Sequence, residues 1–385
     1  MNCYRRCRSF VFVSLQFPGW PRVFLRSKDI PPVKGGRGRH PAHAAFAFLL
    51  CGFLLACFQN QPVQAQQNRV ALQQTAQYLR VTIDEQPFLT YNLAEVIAPP
   101  GMDPILNRSG YIHPFHAPSG RVVSGDFSHD HPHQRGLFGA WVKTRFRGQQ
   151  VDFWNLHRGL GLVRHAKVES TQQDENGIVL VLNLEHVAKH KPGSEIVALH
   201  ETWTVHVPAQ QSSLYYFDVQ VRQTCATEEP LHLPPHLYGG MALRGSNQWV
   251  QDTSRRAHQQ WEREVAEDPQ LPPPGMDQIG FEFLTSEGLQ RHDGNHSGAR
   301  WVAIHGPVDG QLAGAALLSH PDNFRAPQPV RLHPYMPYFC FTPIAKQEHV
   351  IRPDTGYDAK YRYVAFDGPA DREALERLWQ RFSEK

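Results

Sequence analysis

The amino-acid sequence predicts an all-β fold, a large antiparallel β-sandwich with one short C-terminal helix. Two observations carry this. Apolar and polar residues alternate with period two in segment after segment, as in strands with one packed and one wet face. The segments are short and separated by turns rich in Gly, Pro, Asn and Asp, in a chain with 29 Gly and 31 Pro. A helical spacing of apolar residues is clear only at the C-terminus.

Residues 1–65 read as an export signal and an upstream extension. A basic region with Arg5, Arg6, Arg8, Arg22, Arg26, Lys28, Lys34, Arg37 and Arg39 precedes an apolar run over residues 44–58. Val63-Gln64-Ala65 then puts short residues at a cleavage site after Ala65. The run is short for a membrane span. Leu54-Leu55-Ala56-Cys57 also resembles a lipobox, which would make Cys57 a lipid anchor, and a retained membrane anchor is the third reading. No Met lies between Met1 and Met102, which suggests a real start at a codon other than Met. Residues 66–385 then form a single domain, exported to the periplasm or the outside.

Along that domain, residues 80–83 and 88–91 form a hairpin around Asp84-Glu85-Gln86-Pro87. Residues 73–77 read as a frayed linker. Residues 177–184 follow the turn Asp174-Glu175-Asn176 and form the next strand. Residues 201–207 and 215–221 alternate strictly. Residues 300–305, 314–319 and 361–366 are further strands. Residues 252–277, polar and with Pro269, Pro272, Pro273 and Pro274, read as a long loop. The helix opens at Pro369-Ala370-Asp371-Arg372 and runs to Phe382, with Leu375, Leu378 and Trp379 at helical spacing.

Lys and Arg total 39 against 36 Asp and Glu, and much of the positive excess lies before residue 43. There is no basic stripe for nucleic acid. No apolar run after residue 65 is long enough to span a membrane. Cys225 and Cys340 are the cysteines of this domain; they pair or stay as two thiols.

The chemistry concentrates in Ser128-His129-Asp130-His131-Pro132-His133-Gln134-Arg135-Gly136. If this stretch is extended, its three histidines line one surface. Imidazoles move protons near neutral pH or act as neutral metal ligands. Arg135 suits a carboxylate or a carbonyl oxygen. His113 lies nearby in sequence, and Trp141 and Trp154 offer flat faces for a sugar ring. A divalent metal is the alternative occupant of the row, although the spacing is no HExxH and has no cysteine.

Two further clusters stand out. In the first, Gly239-Gly240 would let the backbone approach a ligand, with Arg244 four residues on. In the second, His320, Asn323 and His333 sit in Pro-held loops, suitable for rigid functional groups. Glu201 heads a strand and is a candidate general base.

These motifs resemble a family of bacterial proteins, DUF6807. The carriers are HPFHAPSGR (113–121), DHPHQRG (130–136), DFW (152–154), GGMALR (239–244), WVAIHG (301–306), HPDNFRAP (320–327) and RLHPYMPY (331–338). Gln134 departs from the pattern, where the family usually has a histidine. The resemblance implies a sandwich of the galactose-mutarotase-like kind and work on carbohydrates. Many members carry a methane-oxygenase label, PmoA. It suits a protein that spans the bilayer many times, unlike this chain.

The resulting expectation is an exported carbohydrate-active enzyme. His131 and His133 would act as acid and base, with Glu201 or His320 opposite. His113, Arg135, Trp154, Arg244, Asn323 and His333 would hold the sugar. No cofactor is required. A non-catalytic carbohydrate-binding protein and a metal-dependent oxygenase are the alternatives. They separate on whether His131, His133, Arg135, Arg244 and His320 gather around one pocket.

Overall fold

The computed structural model describes residues 69–384 apart from Pro192. The expected export signal, the cleavage site and Cys57 lie outside the described residues. Two eight-stranded antiparallel sheets stack face to face. The first runs, in spatial order, through Val70–Gln74, Tyr78–Ile83, Gln86–Asn92, Ile112–Phe115, Leu137–Ala140, Gly240–Arg244, Tyr338–Phe341 and Val330–Leu332. The second runs through Glu282–Thr285, Trp301–Val308, Gln311–Ser319, Tyr357–Asp367, Leu214–Cys225, Ser194–Pro208, Gly177–Lys191 and Gly161–Asp174. A smaller sheet joins His349–Ile351, Leu231–Leu233, Thr144–Phe146 and Gln149–Val151.

The alternation seen in sequence decides what lies between the sheets. Trp203, Val205 and Val207 on one strand, and Phe217, Val219 and Val221 on its neighbour, are all buried. They meet the other sheet through aromatic contacts. Phe217 packs edge-on against Phe115 at 5.6 Å and Phe88 at 6.1 Å. Tyr363 crosses the interface to donate to the Ala242 carbonyl at 2.9 Å. This is the all-β sandwich the pattern predicts.

The outer face of the second sheet carries its own apolar patch. Trp301, Ala303, Ala316, Leu318, Val364 and Phe366 meet Leu375, Leu378 and Phe382 of the C-terminal helix, Arg372–Ser383. Asp371 caps that helix by accepting from the Ala374 amide at 3.0 Å. Arg362, buried on the sheet, pairs with Asp218 and donates to the Leu378 carbonyl at 3.2 Å, so the docking is also polar.

Four details differ from the sequence reading. Gln73 and Gln74, at the start of the expected frayed linker, end an edge strand, Val70–Gln74, paired with Tyr78–Ile83. The first hairpin turns at Asp84-Glu85 alone, with φ of 49° and 65°, so its second strand begins at Gln86. The region 252–277 is no plain loop. It contains the helix Ser254–Glu264 and the start of a short one, Met276–Ile279. Gly239 and Gly240 serve the sheet: a Cβ on Gly240 would lie 2.5 Å from the Phe341 carbonyl oxygen of the neighbouring strand, and its φ is 108°.

Cys225 and Cys340 are free thiols, and burial first raises the Cys340 thiol to about 11. No helix of the described residues is long and apolar enough to cross a membrane.

The helix docking predicts unequal costs on unfolding in urea. Leu378→Ala should lose about 2–5 kcal/mol, since it opens a buried cavity. Asp371→Ala should lose about 1 kcal/mol, the worth of one N-cap. Equal costs would show that the helix is held by its cap and not by its apolar face.

Candidate functional site

The histidine row belongs to the long excursion between the adjacent strands Ile112–Phe115 and Leu137–Ala140. It is not extended. His131-Pro132-His133-Gln134 is a tight turn, closed by the Gln134 amide on the His131 carbonyl at 3.0 Å. Pro132 holds the second position, where its fixed φ suits the turn. Gly136 ends the row with φ 51°; a Cβ there would lie 2.1 Å from the Ile112 carbonyl oxygen, so only glycine fits. Curling brings the rings of His131 and His133 together, 5.5 Å apart, instead of lining all three histidines along one edge. His129 stands apart, exposed and 3.0 Å from Asp252.

Two buried arginines fix this loop. Arg244, at the end of its strand, donates to the Gln134 side-chain oxygen at 3.1 Å, to Ser128 Oγ at 2.8 Å and to Asp130 at 2.5 Å. Its backbone amide donates to the Gly136 carbonyl at 2.8 Å. Asp130 also accepts from the Ser128 hydroxyl at 2.6 Å and the His131 amide at 2.8 Å. Burial raises the Asp130 carboxyl, but hydrogen bonding and the Arg244 charge outweigh it and hold it well below the usual carboxylate range. Arg135 pairs with Asp126, donates to the Leu106 carbonyl at 2.9 Å and to the Tyr111 hydroxyl at 2.5 Å, and lies over the Phe127 ring. Sequence reading assigned Arg135 and Arg244 to substrate oxygens. Both are instead fully buried and committed to protein groups.

In front of Arg244 lies a cavity of about 180 Å³. His131, His133 and Gln134 form one wall. Trp154, Asn155 and His157 form a second. Arg331, His333, Met336 and Tyr338 form a third, with Tyr238 closing it. His133 lies 4.9 Å from His157 between ring centroids, and His131 lies 6.4 Å from His333. Trp154 packs against Phe138 at 4.6 Å and Tyr238 at 5.5 Å. The second wall is set by Asp152, whose carboxylate accepts from the Trp154 and Asn155 amides, the Asn155 side chain and Arg158.

Burial, followed by the charges of His131, His157 and Arg244, lowers His133 to about 3. Burial, followed by Arg331, His131 and Arg244, lowers His333 to about 2. Both imidazoles are therefore neutral at ordinary pH. No carboxylate is among the lining side chains. A second cavity, about 240 Å³, shares His131 and Met336 with the first and is bordered by Asp130, Asp252, Arg255 and Tyr335.

The structure thus gathers His131, His133, Trp154 and His333 and leaves the other expected residues elsewhere; of the five residues whose gathering was to separate an enzyme from a binding protein, only His131 and His133 line the cavity. His113 faces Ser124 Oγ at 2.8 Å and does not line the cavity. Glu201 is buried between the sheets, bonded to His186 at 2.5 Å and to the Trp203 indole at 2.8 Å. Its strand faces the core there and not water. His320 lines a separate cavity of about 270 Å³ beside Trp379 of the C-terminal helix. Asn323 pins its own loop, bonding Ser319 and both the carbonyl and the amide of Lys360.

Sequence reading missed His157, Tyr238, Arg331, Met336 and Tyr338. Arg331 and Tyr338 fall in RLHPYMPY and Tyr238 beside Gly239-Gly240, so the motifs held the signal. His157 stands alone in sequence. Among the described residues, no three His, Cys, Asp or Glu side chains are grouped so as to hold a metal ion.

A family model described as a family of unknown function, DUF6807, matches residues 78–380. That span covers both sheets apart from the edge strand Val70–Gln74, and all three walls of the cavity. No curated protein matches the chain.

The Asp130–Arg244 pair predicts a pH-dependent stability. Asp130 is depressed in the folded state, so its contribution is present above about pH 4 and fades as pH falls. Asp130→Asn should cost about 1–3 kcal/mol at pH 6 in urea unfolding, discounted because the carboxylate is partly exposed. The gap to the parent should narrow at pH 3. A constant gap would mean that Asp130 acts through shape and not charge.

Proposed function

We propose that this chain, which belongs to the DUF6807 family, binds a sugar in the three-walled cavity and acts on it by imidazole acid–base chemistry. The supporting observation is the convergence of His131, His133, His157 and His333 on one small cavity beside the Trp154 and Tyr338 rings. Imidazoles suit the hydroxyl and C–H protons of a sugar, while the buried Trp154 and Tyr338 rings back the cavity wall.

The lining favours proton abstraction over the usual glycosidase chemistry. Glycoside hydrolysis commonly uses two carboxylates across the scissile bond, and the cavity wall carries none. A neutral imidazole can instead take a proton from carbon beside a carbonyl, as in epimerisation or β-elimination. His133 is the proposed base, because it is neutral, buried and makes no hydrogen bond to a described residue. His131 or His157, on either side of it, returns a proton to the other face or to the leaving oxygen. Glu201 and His320 have no part in this scheme, since neither reaches the cavity.

Incubation of the full chain with ordinary and keto-oxidised glycosides in D2O, read by mass, tests the proposal. Deuterium uptake or loss of the leaving group is expected from a carbonyl-bearing sugar. His133→Ala should slow it by at least about 10²-fold, the usual worth of a general base, with an unchanged melting temperature. Full activity in His133→Ala would end the assignment.

The pH profile gives an independent check. His133 must be neutral to act, and its value is lowered to about 3. Thus kcat/KM should show no decline as pH falls from 8 to 5. A decline centred near 6.5, where an ordinary histidine titrates, would remove His133 as the base.

A further inference from the structure

The cavity wall contains one group that the proposed acid–base scheme does not use. Arg331, half-buried on the short edge strand Val330–Leu332, has a guanidinium that makes no hydrogen bond and no ion pair with any described residue. This contrasts with Arg135 and Arg244, each paired with a carboxylate and with neutral acceptors. A half-buried guanidinium with no protein acceptor is free to receive a ligand, and its fixed fork of donors matches a carboxylate in bidentate fashion.

The neighbours of Arg331 point the same way. Gln134 accepts from Arg244 through its side-chain oxygen, which leaves its amide nitrogen as a donor in the wall. With no carboxylate in the lining, the side chains that carry free donors outnumber fixed anionic acceptors.

We infer that the ligand is an acidic sugar, a hexuronate or a similar sugar carboxylate, whose carboxylate pairs with Arg331. This rests on the proposed sugar site. It adds the charge of the substrate and the residue that reads it.

Titration calorimetry on the full chain tests this with glucuronate and galacturonate, their neutral parent hexoses, and inorganic phosphate. The uronates should bind at least about tenfold more tightly than the parent sugars, a typical return for a bidentate charged contact. Arg331→Gln should erase that preference while leaving the weak binding of the neutral hexoses. Arg331→Lys, which keeps the charge but loses the fork, should restore part of it. Because Arg331 bonds no described residue, both variants should melt like the parent.

Equal binding of charged and neutral sugars, or a preference that survives Arg331→Gln, would overturn the inference and leave the sugar site standing. Phosphate binding as tightly as the uronates, with the same loss in Arg331→Gln, would show a general anion site and overturn it too. Arg331-dependent uronate binding with no turnover would uphold the inference and sink the catalytic proposal instead.

Discussion

The candidate site depends on one buried ion pair, Arg244 with Asp130. Arg244 is fully buried at the end of a strand that sits between Leu137–Ala140 and Tyr338–Phe341. Removing a guanidinium from water is tolerable only when a charged partner and further acceptors meet it. Asp130, Ser128 and Gln134 supply them, and all three come from the histidine loop. The loop is therefore tied to the sheet by the desolvation cost of its own anchor. If it swings away, a buried cation loses its partners at once. That makes the turn at His131–Gln134 rigid without any help from strand pairing.

The rest of the cavity follows from strand order. Gly136, Arg244 and Tyr338 lie at the same end of three neighbouring antiparallel strands, with Arg244 opposite Tyr338 in register. Loops leaving one end of adjacent strands must share space. The histidine turn and the His333–Pro337 bend meet for that reason, although some two hundred residues separate them in the chain. The Asp152 turn, which carries Trp154 and His157, closes the third side through its own hydrogen bonds rather than through the sheet.

Much of the fold was legible in sequence because burial has a period. Residues 201–207 and 215–221 alternate in burial as they alternate in polarity. The C-terminal helix was equally clear, since Leu375, Leu378 and Phe382 fall on one apolar face. The helix Ser254–Glu264 was hidden by its composition. Its residues are good helix formers, but only Ser254 and His258 are buried, so no apolar stripe marks it. The site was legible as motifs and not as roles. Arg135 and Arg244 looked like ligand groups because an arginine in a motif reads the same whether it faces a ligand or a carboxylate behind the wall. Only Asp126 and Asp130, fixed by the fold, separate the cases. Arg331 carried the opposite signal, since nothing local announces an arginine left without a partner. Glu201 sits midway along the alternating strand Ser194–Pro208, and its face of that strand is the inner one.

Charge balance links the binding and the chemistry. Behind the walls, Asp130 offsets Arg244 and Asp152 meets Arg158. The fixed charge left in the cavity is Arg331, and it is one of the causes that hold His333 neutral. An anion seated on Arg331 would screen that charge and make His333 easier to protonate. The coupling is reciprocal: a proton on His333 would in turn favour the anion. Each unit of such a shift corresponds to about 1.4 kcal/mol of binding energy. A substrate carboxylate would then do more than anchor the sugar. It would also bring His333 closer to the range where an imidazole exchanges protons, so that binding and protonation on that wall are linked.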